Sequence, residues 1–224
     1  MQTTRRPLPP RFSCRRLLSS DRGDLAELQR SCFAPTAQPT GAELEDDLHL
    51  GEIWGVFEGR ALAGAVTLLP LDAACRPCLA AAELVPLAGL PEPGRASLVC
   101  DLALAPGAED PAALTAALLA AAADRALGAG RDGGLLAAVP VKNAPPLGPF
   151  FDAGYLLTAL RPMLRLCACF IFALAPQGET IYNRGDPAAL RCPFSETRLL
   201  GRRLEEGWRG TALSADGEEL LLTR

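Results

Sequence analysis

One carboxylate sits inside an apolar run: Asp101, in ASLVCDLAL at residues 96–104. Val99, Cys100 and Leu102 surround it, and burial among them disfavours the charged form and raises a carboxyl pKa toward the range useful to a general base. The other role open to such a residue is structural, a carboxylate bonded to a neighbouring loop. A second acid, Asp110, stands where the loop after this run enters an Ala/Leu-rich helix, in DLALAPGAEDPAALTAALL at 101–119. Amides at a helix start, aided by the helix dipole, attract phosphates. Asp110 followed by Pro111 is also a good N-cap with proline in the first helical position, where it has no N–H to offer. Two states are therefore open to this corner. Either Asp110 swings away and the free amides of the helix's first turn meet an anion, or the protein closes the helix end by itself.

Other reactive side chains assemble less. His49 is the lone histidine, so no second imidazole exists for a metal pair, and no Ser-His-Asp or Cys-His arrangement can be built on it. Eight cysteines include Cys75 and Cys78 in CRPC and Cys167 and Cys169 in CAC. A structural zinc site wants two pairs with two to four residues inside each, and the second pair has one. Its alternation instead suits a strand with both thiols on one face. Cys14, Cys32, Cys100 and Cys192 fall singly among apolar neighbours, as small hydrophobes. We expect reduced thiols and no metal site. Glu43, Glu45, Asp46 and Asp47 form an acidic run on a short helix, either a solvated face or a surface that attracts a cationic amine.

The elements that position these residues follow from composition and period. A chain of 224 residues, 49% hydrophobic and 21% charged, has enough apolar surface for one good-sized α/β domain with an appendage. Net charge is −4, with no basic stripe to displace counterions, which argues against nucleic acid as a partner. Lys142 is the only lysine; with abundant Ala, Gly, Pro and Leu this suits a GC-rich bacterial genome. The apolar segments 111–123 and 166–176 are shorter than the ~20 residues a membrane-spanning helix needs, and no signal peptide is read in MQTTRRPLPPRF. A soluble, cytoplasmic protein without a membrane partner is expected.

FSCRRL (12–17) suits a strand, and Asp21 and Asp24 open a helix with Leu25, Leu28, Cys32 and Phe33 on one face. Thr40 and Glu43 make a capping box for a second helix with Leu44 and Leu48 inward. Residues 52–71 read as a hairpin turning at Glu58-Gly59, and 72–96 as a long Pro-rich connection. A strand at 96–104, a helix from Pro111 to about Leu127 closed by Gly128 and Gly130, and a strand at 134–141 follow. A short helix at 145–154 and strands at 155–160 and 164–174 complete the unit. Trp54 and Phe57 are assigned to its core. The order β-α-α-β-β-β-α-β-α-β-β predicts a mixed sheet with helices on both faces. Residues 12–175 are taken as the main domain and 176–224 as a C-terminal extension packed on it. Within the extension, a loop-like stretch precedes a helix capped by Ser195, then a hairpin turning at Asp216-Gly217.

This order resembles the GNAT acyltransferase superfamily over residues 12–174, on two segments beyond topology. VKNAPPLGPFFDAGY (141–155) is similar to the family pattern of Asn, a short aromatic-bearing helix and Gly-Tyr, with Asn143, Phe150, Gly154 and Tyr155 at the expected offsets. Residues 101–119 lie without a gap on the family's fourth strand, CoA loop and following helix. The resemblance implies an acetyl-CoA or other acyl-CoA donor, a small-molecule amine acceptor, and direct attack of the amine on the thioester. It implies Asp101 as proton acceptor and Ala103, Leu104 and Ala105 as the strand end that pairs with pantetheine. The amides of Ala113, Leu114 and Thr115 would meet the diphosphate, and Asn143 and Phe150 would also contact the cofactor. The family's loop has a basic or amide residue and glycines where this chain has Asp110, Pro111, Ala112 and Ala113. Where many relatives carry the tyrosine that protonates the leaving thiolate, this chain has Phe150. The rival reading is a GNAT-shaped interaction module without cofactor. A homodimer through 176–224 is a further expectation.

Overall fold

FSCRR forms β1 (Phe12–Arg16), whose partner is β2 (Glu52–Glu58). The computed structural model describes residues 9–33, 35, 38, 40–50, 52–71, 96–130, 134–142, 146–163, 167–174 and 189–224. A single 3-10 turn, Ser19–Asp21, leads from β1 into α1 (Arg22–Cys32), and α2 is Gly41–Leu50. Glu58 to Ala61 turns the chain through Gly59, at φ 61°, into β3 (Ala61–Pro70). That left-handed conformation is one glycine adopts without a steric penalty. β3 is buried along eight consecutive residues, the pattern of a strand covered on both faces.

Residues 72–95, including the CRPC pair, lie outside the described residues. Beyond them β4 (Ser97–Leu104) precedes α3 (Pro111–Gly128). Ala and Leu dominate α3, both strong helix formers, and Leu114, Leu118, Leu119, Ala122 and Ala126 recur at helical spacing and are buried. Gly130, at φ 70°, lies just past its end. β5 (Leu135–Pro140), α4 (Gly148–Asp152), β6 (Leu156–Met163) and β7 (Cys167–Leu174) complete the order expected from the sequence.

With β8 (Leu190–Pro193), β9 (Arg209–Leu213) and β10 (Glu219–Thr223) of the C-terminal stretch, ten strands among the described residues form one sheet in the order β1-β2-β3-β4-β5-β7-β6-β9-β10-β8. β4 and β5 are parallel, and the other neighbouring pairs are antiparallel. Helices cover both faces. Leu25 and Leu28 of α1 and Leu44 of α2 pack with Ile53, Phe57, Ala65 and Ala103 on one side. Leu114 and Leu118 of α3 and Phe150 and Phe151 of α4 pack with Val56, Val66 and Val99 on the other.

At the C-terminal end two details differ from the expectation. The stretch read as loop-like contains a strand, β8 (Leu190–Pro193), paired with β10 (Glu219–Thr223). Four residues are too few for a periodic signal, and only the partner strand gives them their conformation. Likewise α5 (Thr197–Glu205) has Glu196, not Ser195, at its N-cap. The hairpin of β9 (Arg209–Leu213) and β10 turns through Asp216 and Gly217, with the Gly217 amide donating to the Ser214 carbonyl at 2.9 Å. Cys192, Leu200, Leu204, Leu220 and Leu222 join the same buried cluster as Leu157 and Phe170. Among the described residues β9 pairs with β6 at Leu157 and Gly210 alone.

Candidate active site

The site is made by a separation of strands. β4 and β5 pair only at Ser97–Leu135, Leu98–Leu136 and Val99–Ala137, yet β4 continues to Leu104 and β5 to Pro140. β5 keeps its other partner, with Val139 opposite Phe170 and Pro140 opposite Cys169 on β7. β4 keeps β3. Among the described residues the two central strands therefore part beyond Val99 and Ala137, with no β4–β5 ladder past that point. An extended molecule carrying amides can complete strand edges of this kind as an added strand does.

A bulge in β4 lies just past the point of divergence. Thr67 lies opposite Cys100 and Ala65 opposite Ala103, so Asp101 and Leu102 together face the single residue Val66. Asp101 takes the extra place, with φ at 49°. For a residue with a Cβ this left-handed backbone costs about 1 kcal/mol, and Asp tolerates it better than most. Strain of this kind persists where the surrounding fold dictates it, and bulges re-aim a side chain. The Asp101 side chain is half-buried, with Cys100 Sγ 3.8 Å from its Oδ2.

Past the bulge, Ala103 is buried, the Ala105 amide donates to the Ala63 carbonyl at 2.8 Å, and the Leu104 carbonyl accepts the Cys32 thiol at 3.0 Å. A tight turn follows, with the Ala108 amide on the Ala105 carbonyl. Arg11 clamps this loop from the side, its guanidinium paired with both Glu109 and Glu58.

The corner at the head of α3 is in its self-closed state. Asp110 is left-handed, φ 51°, and its Oδ1 accepts the Ala113 amide at 3.1 Å. Its carbonyl accepts the Leu114 amide at 3.2 Å. Thr115 is fully buried and turns its hydroxyl back to the Pro111 carbonyl at 2.9 Å. Pro111 has no amide to give. The residues present thus do not fit a diphosphate at this turn: the Asp110 carboxylate takes the Ala113 amide, Pro111 has no amide, and Leu114 is engaged in the first regular helical bond.

Phe150 also differs from expectation. It is completely buried, stacked on Phe172 at 4.8 Å and edge-on to Tyr155 at 5.7 Å, so its side chain serves the core and presents no face to a cofactor. Tyr155 is buried too, and its hydroxyl has no hydrogen-bond partner among the described residues. Burial drives its pKa upward, and the same enclosure keeps the hydroxyl from anything outside the core. Asn143 lies outside the described residues, as do the side chains of Glu43, Asp46 and Asp47. Glu45 is exposed and pairs with Arg22 at 3.3 Å, and His49 is exposed. Phe57 is core, while Trp54 is half-buried at the edge of the larger apolar cluster.

The structure thus gathers Asp101, Ala103, Leu104, Ala105 and the start of α3 along one continuous path, and sets Phe150 apart from it. Two participants escape sequence reasoning: Arg11, whose pairing with Glu109 spans the chain with no local signal, and Cys32, which reads as one more apolar position on α1. Among the described residues no cluster of three or more His, Cys, Asp or Glu could hold a metal, and no helix is long and apolar enough to cross a membrane.

Comparison with solved structures settles the architecture. FeeM, an N-acyl amino acid synthase from uncultured soil microbes, aligns over 76% of this chain and 93% of its own with a TM-score of 0.57 and 19% identity. The protein yncA of Salmonella typhimurium, solved with its cofactor acetyl-CoA, aligns over 77% and 98% with a TM-score of 0.54 and 14% identity. The ribosomal-protein-S18-alanine N-acetyltransferase of Escherichia coli aligns over 77% and 99% with a TM-score of 0.51 and 14% identity.

This chain has the GNAT fold.

No family model matches the chain, and no curated protein matches it by sequence.

Proposed function

We propose that this protein is an acyltransferase that moves an acyl group, acetyl in the simplest case, from a thioester such as acyl-CoA to the amine of a small molecule. One observation carries the reading: the parted edges of β4 and β5, with Asp101 held in a strained bulge just past the point of divergence. An acyl thioester supplies an activated carbonyl that exchanges its sulfur for the amine nitrogen. Asp101 takes the proton that the attacking ammonium must lose, a task suited to a half-buried carboxylate. The facing strand edges bind and align the donor, which holds the reacting atoms in an attack geometry. Protonation of the leaving thiolate falls to water, since Phe150 has no proton to give and the Tyr155 hydroxyl is enclosed.

Two measurements test this. A donor at 100 times its Kd adds about 2.7 kcal/mol to stability, so millimolar acetyl-CoA should raise the melting temperature. Asp101→Asn should then cut turnover while leaving donor affinity intact; unchanged turnover removes Asp101 from the mechanism. The second reading, a GNAT-shaped interaction module without a donor, draws on the Asp110 cap alone. It gains if neither calorimetry nor melting detects any thioester or thiol.

A further inference from the structure

In this fold an acyl donor has two handles: an extended arm of amides ending in the thioester, and a diphosphate beyond it. The two ends of this site answer them differently. Among the described residues the strand edges past Val99 and Ala137 have no ladder between them, and such edges suit the arm. At the far end the Ala113 amide is bonded to the Asp110 carboxylate and the Leu114 amide to the Asp110 carbonyl. Pro111 offers no donor. Glu109 adds a second carboxylate, and Arg11, which meets this loop, is already shared by Glu109 and Glu58. A diphosphate arriving there would have to break a cap and approach two acids, and the cation beside them is already engaged.

We infer that this protein recognises its donor as a pantetheine thioester, with no contribution from the diphosphate. This rests on the acyltransferase reading above and narrows it: binding and selectivity reside in the acyl group and its amide-bearing arm. The head of α3 acts as a closed wall, which takes any pantetheine thioester whatever lies beyond the arm. Asp110 then sets the donor preference by withholding affinity: its carboxylate occupies the Ala113 amide, which would otherwise favour CoA over the bare arm.

The test compares CoA, reduced pantetheine and ADP by titration calorimetry on the full chain, which needs no acceptor and no turnover. The expected result is CoA and pantetheine binding within about threefold of each other, with ADP failing to compete. A charge-assisted hydrogen bond to a phosphate changes affinity by about tenfold or more, so the distinction is readable. Asp110→Gly accepts the left-handed backbone and frees the Ala113 amide, and should raise CoA affinity over pantetheine by about tenfold. Asp110→Asn keeps a capping side chain and should leave the ratio near the wild-type value. If CoA binds the wild type more than about thirtyfold tighter than pantetheine, or ADP displaces CoA, the inference fails while the acyltransferase reading stands. If neither CoA nor pantetheine binds, the acyltransferase reading falls and takes this inference with it. The wild-type arms decide the matter even if the Asp110→Gly chain does not fold.

Discussion

Asp21 receives both terminal nitrogens of Arg15, at 2.8 Å each, and its Oδ2 also accepts the Leu18 amide at 2.8 Å. The pair ties the end of β1 to the turn that starts α1, while the Arg15 guanidinium lies 4.0 Å over the ring of Phe57. Asp21 is only 8% exposed, so its charge depends on these partners.

The bonds from Arg15, ahead of the Leu18 amide, hold the Asp21 carboxyl down to about 2 from an ordinary 3.8. A carboxyl lowered on folding contributes stability that is fully present above its unfolded pKa and lost as pH falls through the folded one. Acid unfolding of the wild type should therefore gain a component between pH 3.8 and about 2. Asp21→Asn should abolish that component and cost about 1–3 kcal/mol at neutral pH. A variant with the same acid limb as the wild type would show that the pair contributes nothing.

Tyr155 offers a change in the opposite direction. Its hydroxyl is buried without a partner among the described residues, so Tyr155→Phe removes a desolvated polar group and keeps the edge contact with Phe150. Stability should hold or rise by up to about 1 kcal/mol in urea unfolding. Tyr155→Ala should cost about 3–5 kcal/mol through the cavity it leaves. A marked loss on Tyr155→Phe would mean the hydroxyl has a partner after all.

At the bulge, backbone and chemistry separate. Because Asp101 sits at φ 49°, Asp101→Gly should stay within about 1 kcal/mol of wild type, while Asp101→Val should lose at least about 1 kcal/mol more. Equal stability of the two variants would argue that the bulge relaxes at no cost.

The junction of β9 with β6 leaves no room for a side chain. A Cβ at Gly210 would stand 2.8 Å from the Cβ of Leu157. Gly210→Ala should cost about 1–3 kcal/mol, and Leu157→Ala in the same chain should not recover it, because the nearest clash is with a Cβ that alanine keeps. Rescue in the double variant would place the clash elsewhere on the Leu157 side chain.

Local order was legible in the chain itself. Apolar periods at Leu114, Leu118 and Leu119, breaks at Gly59 and Gly130, and the Asp216-Gly217 turn act within a few residues, so the elements of the main unit and their order could be read. The capping chemistry of Asp110-Pro111 was legible for the same reason: the carboxylate and the amide it accepts are three residues apart. Only the tertiary structure decided what those elements enclose. The point where β4 leaves β5, the left-handed turn at Asp101, the burial of Phe150 against Phe172 and the hold of Arg11 on Glu109 depend on partners distant in sequence. β8 belongs with them, since four residues carry no period and became a strand only against β10. Propensity and capping act locally along one stretch of chain. A cleft is a relation between stretches, and it exists only once their backbones have been packed.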